Sequence, residues 1–205
     1  MNNFPYAIEE PLKAEGGYVN DPKDPGGETY RGISRKAYPN WDGWAALDRI
    51  QDKHYNQIFP ELEVAVKNFY YQEKWLTNNL DKISDKDIAA ASLDTVVQHG
   101  RGASLIQQAL QRIGFPVSVD GKIGPDTVSN LNRAPVKDFL ASLYDVREAY
   151  YKGLVASNPT LQKYLPGWLK RISPMKGAAA GGMFVGLAAL AAGAWYYLKK
   201  KKIVS

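Results

Sequence analysis

The 205-residue sequence contains no cysteine. Disulfides, thiolate nucleophiles and Cys-ligated zinc are thereby excluded, although the compartment stays open because many exported bacterial proteins also lack cysteine. Only two histidines, His54 and His99, are present and they lie well apart. A histidine-rich metal site is not expected, and each is read as a surface or core residue. The N-terminus lacks a basic region followed by an apolar run, so no conventional cleavable signal peptide is expected. Strand-like runs are few and short. Excess positive charge is also missing from most of the chain: residues 1–169 hold 19 Lys/Arg against 21 Asp/Glu, a net −2. The formal +5 arises from Lys170, Arg171, Lys176 and Lys199 to Lys202. A nucleic-acid binder carries its basic residues on the folded domain. Here they flank a hydrophobic stretch, which speaks against nucleic acid and for lipid headgroups.

What is present is mostly helical patterning. Phe4, Ile8 and Leu12 recur at i, i+4, i+8, the apolar stripe of a short helix ending near Glu15. Pro5 suits its first turn and Gly16-Gly17 stop it, while Pro11 should kink it unless the helix starts late. From Gly16 to Gly32 the composition turns to Gly, Pro, Asp and Asn, which predicts turns and a hairpin. Further helical patterns begin with Ser34 as an N-cap, then cover Trp44–Ile58 and Leu62–Leu76. Ser84 or Asp85 should cap a helix through Ile88, Ala91, Leu93 and Val96 to Gly100, and Ser104–Ile113 and Val136–Val155 are amphipathic. Asp120-Gly121 reads as a tight turn before a helix with Pro125 in its first turn, and this segment is either a plain turn or a binding surface. The predicted class is mainly α with a small β-hairpin near the acids, plus one C-terminal transmembrane helix.

That last helix is Gly177 to Leu198, a run of 22 residues without charge. About 20 residues suffice to cross a bilayer core as a helix. Trp195, Tyr196 and Tyr197 form an interfacial aromatic belt at one end, followed by four lysines. Yet 13 of the 19 residues from Gly177 to Trp195 are Gly or Ala, which gain little in hydrocarbon, so a weak anchor is expected. Gly177/Gly181 and Gly182/Gly186 are small-xxx-small pairs suited to self-association, through Gly182 and Gly186 in particular.

The chemistry concentrates between Glu15 and Ile33. Cleaving a glycosidic bond takes a protonated acid on the leaving oxygen and a second carboxylate. Glu15, at a helix end before two glycines that leave room for a saccharide, fits the acid. Asp24 lies nine residues on, across a turn, and Thr29 offers a hydroxyl to hold a water against it. Asp21 competes with Asp24. A carboxyl separation of roughly 6.5–9.5 Å would mean inversion through an activated water, and about 5 Å retention.

Glu15-Gly16-Gly17-Tyr18, Asp21, Asp24-Pro25-Gly26-Gly27 and Thr29-Tyr30-Arg31-Gly32-Ile33 resemble the signature of glycoside hydrolase family 108, the bacterial and phage N-acetylmuramidases. The order Glu, Asp, Thr is also similar to that of T4-type phage lysozymes, with Thr29 one residue nearer than in that pattern. The run Asp120-Gly121-Lys122-Ile123-Gly124-Pro125-Asp126-Thr127 resembles the peptidoglycan-binding region that follows the catalytic part in this family. The resemblance implies an α+β lysozyme-like fold and a catalytic region over 1–95. A helical peptidoglycan-binding-like region over 96–172 follows, then a linker at 173–176, the transmembrane helix at 177–198 and a basic tail at 199–205. It implies hydrolysis of the β-1,4 bond between N-acetylmuramic acid and N-acetylglucosamine, without cofactor or metal. Glu15, Asp24 and Thr29 would be catalytic, and Gly16, Gly17, Tyr18, Tyr30, Asp120 and Gly121 would bind peptidoglycan. The four terminal lysines favour a cytoplasmic tail, so the expected place is the bacterial inner membrane, single-pass, with the catalytic domain on the periplasmic side. The weak anchor is similar to the signal-anchor-release segments of phage endolysins, which implies release and host cell lysis. The alternatives are a lytic transglycosylase and a non-catalytic, membrane-tethered peptidoglycan-binding protein.

Overall fold

A computed structural model describes residues 2–21 and 26–179. The elements run α1 (Phe4–Ala14), β1 (Tyr18–Val19), β2 (Thr29–Tyr30), β3 (Ile33–Ser34), α2 (Gly43–Asp48) and α3 (Glu63–Tyr70). They continue with α4 (Lys86–Gln98), α5 (Gly102–Arg112), α6 (Pro125–Arg133), α7 (Val136–Ser157) and α8 (Leu165–Ala179).

The packing centre is α4. Asp85 caps it as expected of an N-cap, its carboxylate accepting from the Asp87 and Ile88 N–H groups, each at 2.9 Å. Every residue from Ile88 to Gln98 is buried, because α1, α5 and α7 all pack on this helix. The division expected at residues 95/96 therefore falls inside α4, which both halves of the molecule share.

On α1 the apolar stripe is buried as its spacing requires, with Ala7 and Pro11 added to Phe4, Ile8 and Leu12. Phe4 meets the rings of Tyr71 and Trp75 edge-on, with centroids 5.0 and 5.5 Å apart. The helix starts at Phe4 and passes through Pro11, so the late start is not needed. It closes on the Glu15 N–H, which donates to the Pro11 carbonyl at 3.0 Å.

The three strands form one antiparallel sheet in the order β1-β2-β3. Tyr30 stands opposite both Tyr18 and Ile33, and Thr29 opposite both Val19 and Ser34. Tyr30 and Ile33 are fully buried, so this small sheet faces the core with the β2–β3 turn beneath the end of α1.

Three expectations are corrected here. Ser34 caps no helix; its hydroxyl donates to the Gly26 carbonyl at 3.1 Å and only a turn follows. The helix foreseen over Trp44–Ile58 is limited to α2, because the backbone of Asn56 and Gln57 pairs with Tyr18 on β1 instead (2.7 and 2.8 Å). The linker at 173–176 is helical, part of α8. Pro174 has no N–H to offer the preceding turn, and the Lys170 carbonyl accepts from the Ser173 hydroxyl at 2.8 Å. Among the described residues, no helix is long and apolar enough to cross a membrane. The predicted span Gly177–Leu198 lies outside the described residues from 180 onward.

Candidate active site

Glu15 is the C-cap of α1, and its backbone turns extended there, which ends the helix. The side chain is only 4 % exposed. Its carboxyl rests on Gly32: a β-carbon added to that glycine would lie 2.4 Å from Glu15 Oε2 and 2.7 Å from the Tyr70 hydroxyl. One point above Gly32 is thus in contact with both groups.

The β2–β3 turn supplies this floor. Its two central residues, Arg31 and Gly32, both have positive φ, +46° and +76°, the backbone of a tight two-residue hairpin. For arginine the left-handed conformation costs about 1–2 kcal/mol. The guanidinium offsets it, because Nη1 donates to the Leu12 and Glu15 carbonyls at 2.8 and 3.0 Å, two acceptors left open at the end of α1. Nε and Nη2 form a two-pronged pair with Glu63, each at 2.9 Å. The Tyr70 hydroxyl donates to the Arg31 carbonyl at 2.8 Å. Arg31 therefore clamps α1, the hairpin and α3 around the acid.

Replacing Gly32 with alanine should show how tight this floor is. The positive φ alone predicts a stability loss of about 1–3 kcal/mol. Displacement of the Glu15 carboxyl by a fraction of an ångström to one ångström predicts a fall in turnover of about 100-fold. Thermal melts and turnover assays on one preparation measure both, and an unimpaired variant would remove Gly32 from the site.

Charges around Glu15 are arranged by the distant helices. Burial pushes the Tyr70 hydroxyl well above its ordinary pKa, and the negative charge of Glu15 pushes it further. Arg171, buried on α8, also feels that charge. Burial disfavours its positive form, but Asp94 and then Glu15 more than restore it. Arg171 holds Asp94 Oδ1 from Nε and Nη2 at 3.2 and 2.8 Å, and Arg147 of α7 holds Asp94 Oδ2 at 2.7 Å. Burial pushes Asp94 upward, yet the two guanidiniums bring it down to about 2. Gln98, Thr95 and Tyr151 complete the partners of Arg147. His99, whose Nε2 lies 3.1 Å from the Tyr151 hydroxyl, is driven well below its ordinary pKa by burial and by Arg147. It is neutral and internal; His54 is exposed.

The other residues singled out from sequence are placed as follows. Asp24 lies outside the described residues. Thr29 is half-buried on β2, with its hydroxyl donating to the Gly27 carbonyl at 3.2 Å. Asp21 is exposed. Gly16 and Gly17 meet Asn56 closely: its side-chain oxygen accepts from the Gly17 N–H at 2.8 Å. A β-carbon on Gly17 would come within 2.2 Å of the Gln57 carbonyl. Gly17 thus admits the 56–57 backbone. Tyr18 and Tyr30 are corrected from saccharide-facing to internal. Tyr18 is buried and donates to Glu28 at 3.0 Å. Tyr30 is fully buried, donating to the Phe59 carbonyl at 3.2 Å and accepting the Phe59 N–H at 2.8 Å.

Asp120 and Gly121 are exposed but organised from beneath. The buried Gln107 donates to Asp120 Oδ1 at 2.7 Å and the Lys122 carbonyl at 2.8 Å, and accepts the Gly121 N–H at 2.9 Å. Gly121 has φ +77°, which is why glycine sits there. The Gln107 bond first, and then the Lys122 N–H donating to Asp120 Oδ1 at 2.9 Å, hold Asp120 below its ordinary pKa. Among the described residues no group of three acids or histidines is placed to hold a metal ion.

Arg31, Gly32, Tyr70 and Asp94 were not among the residues singled out for function from sequence, and Arg171, read there as one of the basic residues facing lipid headgroups, is instead buried against Asp94. Only the Arg-Gly pair between two strands carried a local signal. The others reach Glu15 through contacts distant along the chain.

Residues 8–100 match the family model described as Glycosyl hydrolase 108. Residues 101–173 match the one described as Predicted Peptidoglycan domain. No curated protein matches the chain. Among solved structures, that of Brucella abortus SagA is similar in fold, with a TM-score of 0.59 at 24% identity, over 87% of this chain and 94% of that one. With residues 8–100 matching a glycosyl hydrolase and residues 101–173 a peptidoglycan domain, the chain is a peptidoglycan hydrolase, a glycoside hydrolase of the muramidase type.

Proposed function

We propose that the enzyme cleaves the β-1,4 bond between N-acetylmuramic acid and N-acetylglucosamine, with Glu15 as proton donor to the leaving oxygen. The observation that carries this reading is the buried Glu15 carboxyl, set on Gly32 beside Tyr70 within the residues that match the glycosyl hydrolase model. As the bond breaks, positive charge builds on the sugar ring and a second carboxylate is needed to deliver water. Asp24 takes that role in this reading, with Asp21 its competitor, and inversion is the expected outcome. The Thr29 hydroxyl proton is committed to the Gly27 carbonyl. Its oxygen is left as an acceptor, which is what holding a water requires. The exposed Asp120-Gly121 loop serves as a contact for peptidoglycan, at a distance from the chemistry along the chain.

The same proposal includes a membrane tether through Gly177–Leu198, with the catalytic domain on the periplasmic side of the inner membrane and pairing through Gly182 and Gly186. Its support is the 22-residue uncharged run bracketed by basic residues. The weakness of that anchor favours release and host cell lysis over permanent wall remodelling.

Mass spectrometry of the fragments released from purified peptidoglycan tests the chemistry. Reducing N-acetylmuramic acid ends are expected. A 1,6-anhydro sugar would instead mean a transglycosylase, which needs the glutamate but no water-activating aspartate.

A further inference from the structure

A cleft of about 460 Å³ lies between the loop that follows β3 and the outward face of α3 with the turn after it. Its size is within the range of small-ligand sites. One wall is Trp41, a ring fixed on several sides. Its Nε1 donates to the Ala65 carbonyl at 3.3 Å, it stacks on Tyr30 with centroids 6.2 Å apart, and Trp44 meets it edge-on at 4.9 Å. Such a ring presents a preorganised apolar face to a flat ligand.

Facing it are Asn68 and Gln72, four residues apart and so neighbours on one helical surface, with Glu73 beside them and Asp42 on the loop. The side chains of these four polar residues are directed to no hydrogen-bond partner within the described protein. Their capacity is available to whatever enters. The remaining wall is Tyr38 and Phe69, and buried rings, Phe69 and then Tyr70, fill the space between the cleft and the acid. The Phe69 ring meets Tyr38 edge-on at 4.7 Å and Tyr70 edge-on at 5.5 Å. Tyr70 in turn touches the point above Gly32 where the Glu15 carboxyl rests.

A fixed aromatic face opposed by amides and carboxylates is the chemistry of pyranose recognition: the ring's C–H face packs on the indole while its hydroxyls and acetamido group find hydrogen-bond partners. The lining contains two carboxylates and no lysine or arginine. An anionic lactyl substituent would be repelled, whereas an uncharged sugar would not.

We propose that this cleft is a glycan subsite that accepts an N-acetylglucosamine unit of the strand and disfavours an N-acetylmuramic acid unit bearing a free lactyl carboxylate. It rests on the reading of the enzyme as a muramidase, and it adds a sugar contact on the outward face of α3.

Chitotriose, a neutral oligomer of N-acetylglucosamine, is the probe, titrated into the full-length chain carrying Glu15→Gln to prevent turnover. Binding is read by nuclear magnetic resonance shifts and by calorimetry. Shifts should map to residues 38–42 and 65–73, and the double change Asn68→Ala with Gln72→Ala should weaken binding about tenfold, as the loss of two ordinary hydrogen bonds implies, without a shift in Tm. The paired change Asp42→Asn with Glu73→Gln should improve binding of an oligomer ending in free N-acetylmuramic acid relative to chitotriose. Shifts that map elsewhere, or affinity unmoved by the double alanine change, would overturn the subsite. In that event, reducing-end fragments from the wild type would show that the muramidase reading survives. Conversely, chitotriose bound in the cleft of a protein that releases no fragments would sink that reading and leave the sugar site standing.

Discussion

Replacing Glu15 with glutamine is expected to lower peptidoglycan clearance by at least ~1,000-fold, within the range that general-acid catalysis contributes. The amide is nearly the same shape, so it keeps the position on Gly32 beside Tyr70 but has no acidic proton for a leaving oxygen. The fold should survive. Arg31 binds the Glu15 backbone carbonyl, not the carboxyl, so the clamp on α1 is untouched. Arg171 loses a nearby negative charge but retains both contacts to Asp94. A circular dichroism spectrum like that of the parent and a shift in unfolding free energy of no more than about 1 kcal/mol would accompany the loss of activity. Retention of a tenth of the parental rate by a folded variant would remove Glu15 as proton donor. Glu15→Asp should also fail, since one methylene withdraws the carboxyl from the floor it rests on.

The largest stability effect is expected at Asp94. Changing it to alanine leaves Arg147, fully buried, and Arg171, 8 % exposed, without the carboxylate that both hold. Breaking a buried ion pair from one side costs about 3–5 kcal/mol, a large part of the roughly 5–15 kcal/mol that holds a typical domain together. The urea midpoint should fall accordingly with an unchanged slope, and activity should fall with it because Arg171 and Glu15 feel each other's charge. A midpoint within experimental error of the parent would refute the ion-pair account. The same residue sets an acid limit. Its folded pKa is about 2, below the ordinary 3.8, so the folded state binds that proton less readily than the unfolded chain. The contribution is fully present above about pH 4 and disappears as pH falls through about 2. In the alanine variant this part of the acid dependence should be missing from the stability profile between those limits.

Local patterns in the sequence reached some features and missed others for identifiable reasons. The α1 stripe and the Asp85 cap were legible because each depends on residues within a turn or two of one another. The Asp120-Gly121 turn was legible too, but not that a buried glutamine on α5 builds it. The 49–59 segment misled, since its apolar residues suit a helix while its backbone is recruited by β1 across some forty residues. The segment expected as a linker at 173–176 lies within α8, a helix that contains Pro166, Gly167 and Pro174. The helix is secured by Trp168 stacked on Tyr151 at 5.1 Å and by Arg171 on Asp94, contacts to α7 and α4. At the site, the glycine frame pointed to Glu15, but not to its burial on the β2–β3 turn. Substrate contact for the tyrosines of that frame followed from the resemblance alone, and two-residue strands are too short for alternation to show that these rings are buried.

The continuity of α8 has a mechanical consequence. Trp168, Arg171 and Met175 are all buried, so the helix is pinned along its inner side up to its last turns before Ala179. An α-helix turns by about 100° and advances about 1.5 Å per residue. One residue inserted at 173–176 would therefore swing everything after it by more than a quarter-turn relative to the catalytic cleft. It would do so without disturbing Arg171 itself. The direction in which α8 points at Ala179 is thus indexed to the orientation of the acid. Tension applied to that end is borne first by the helix that carries the cation beside Glu15.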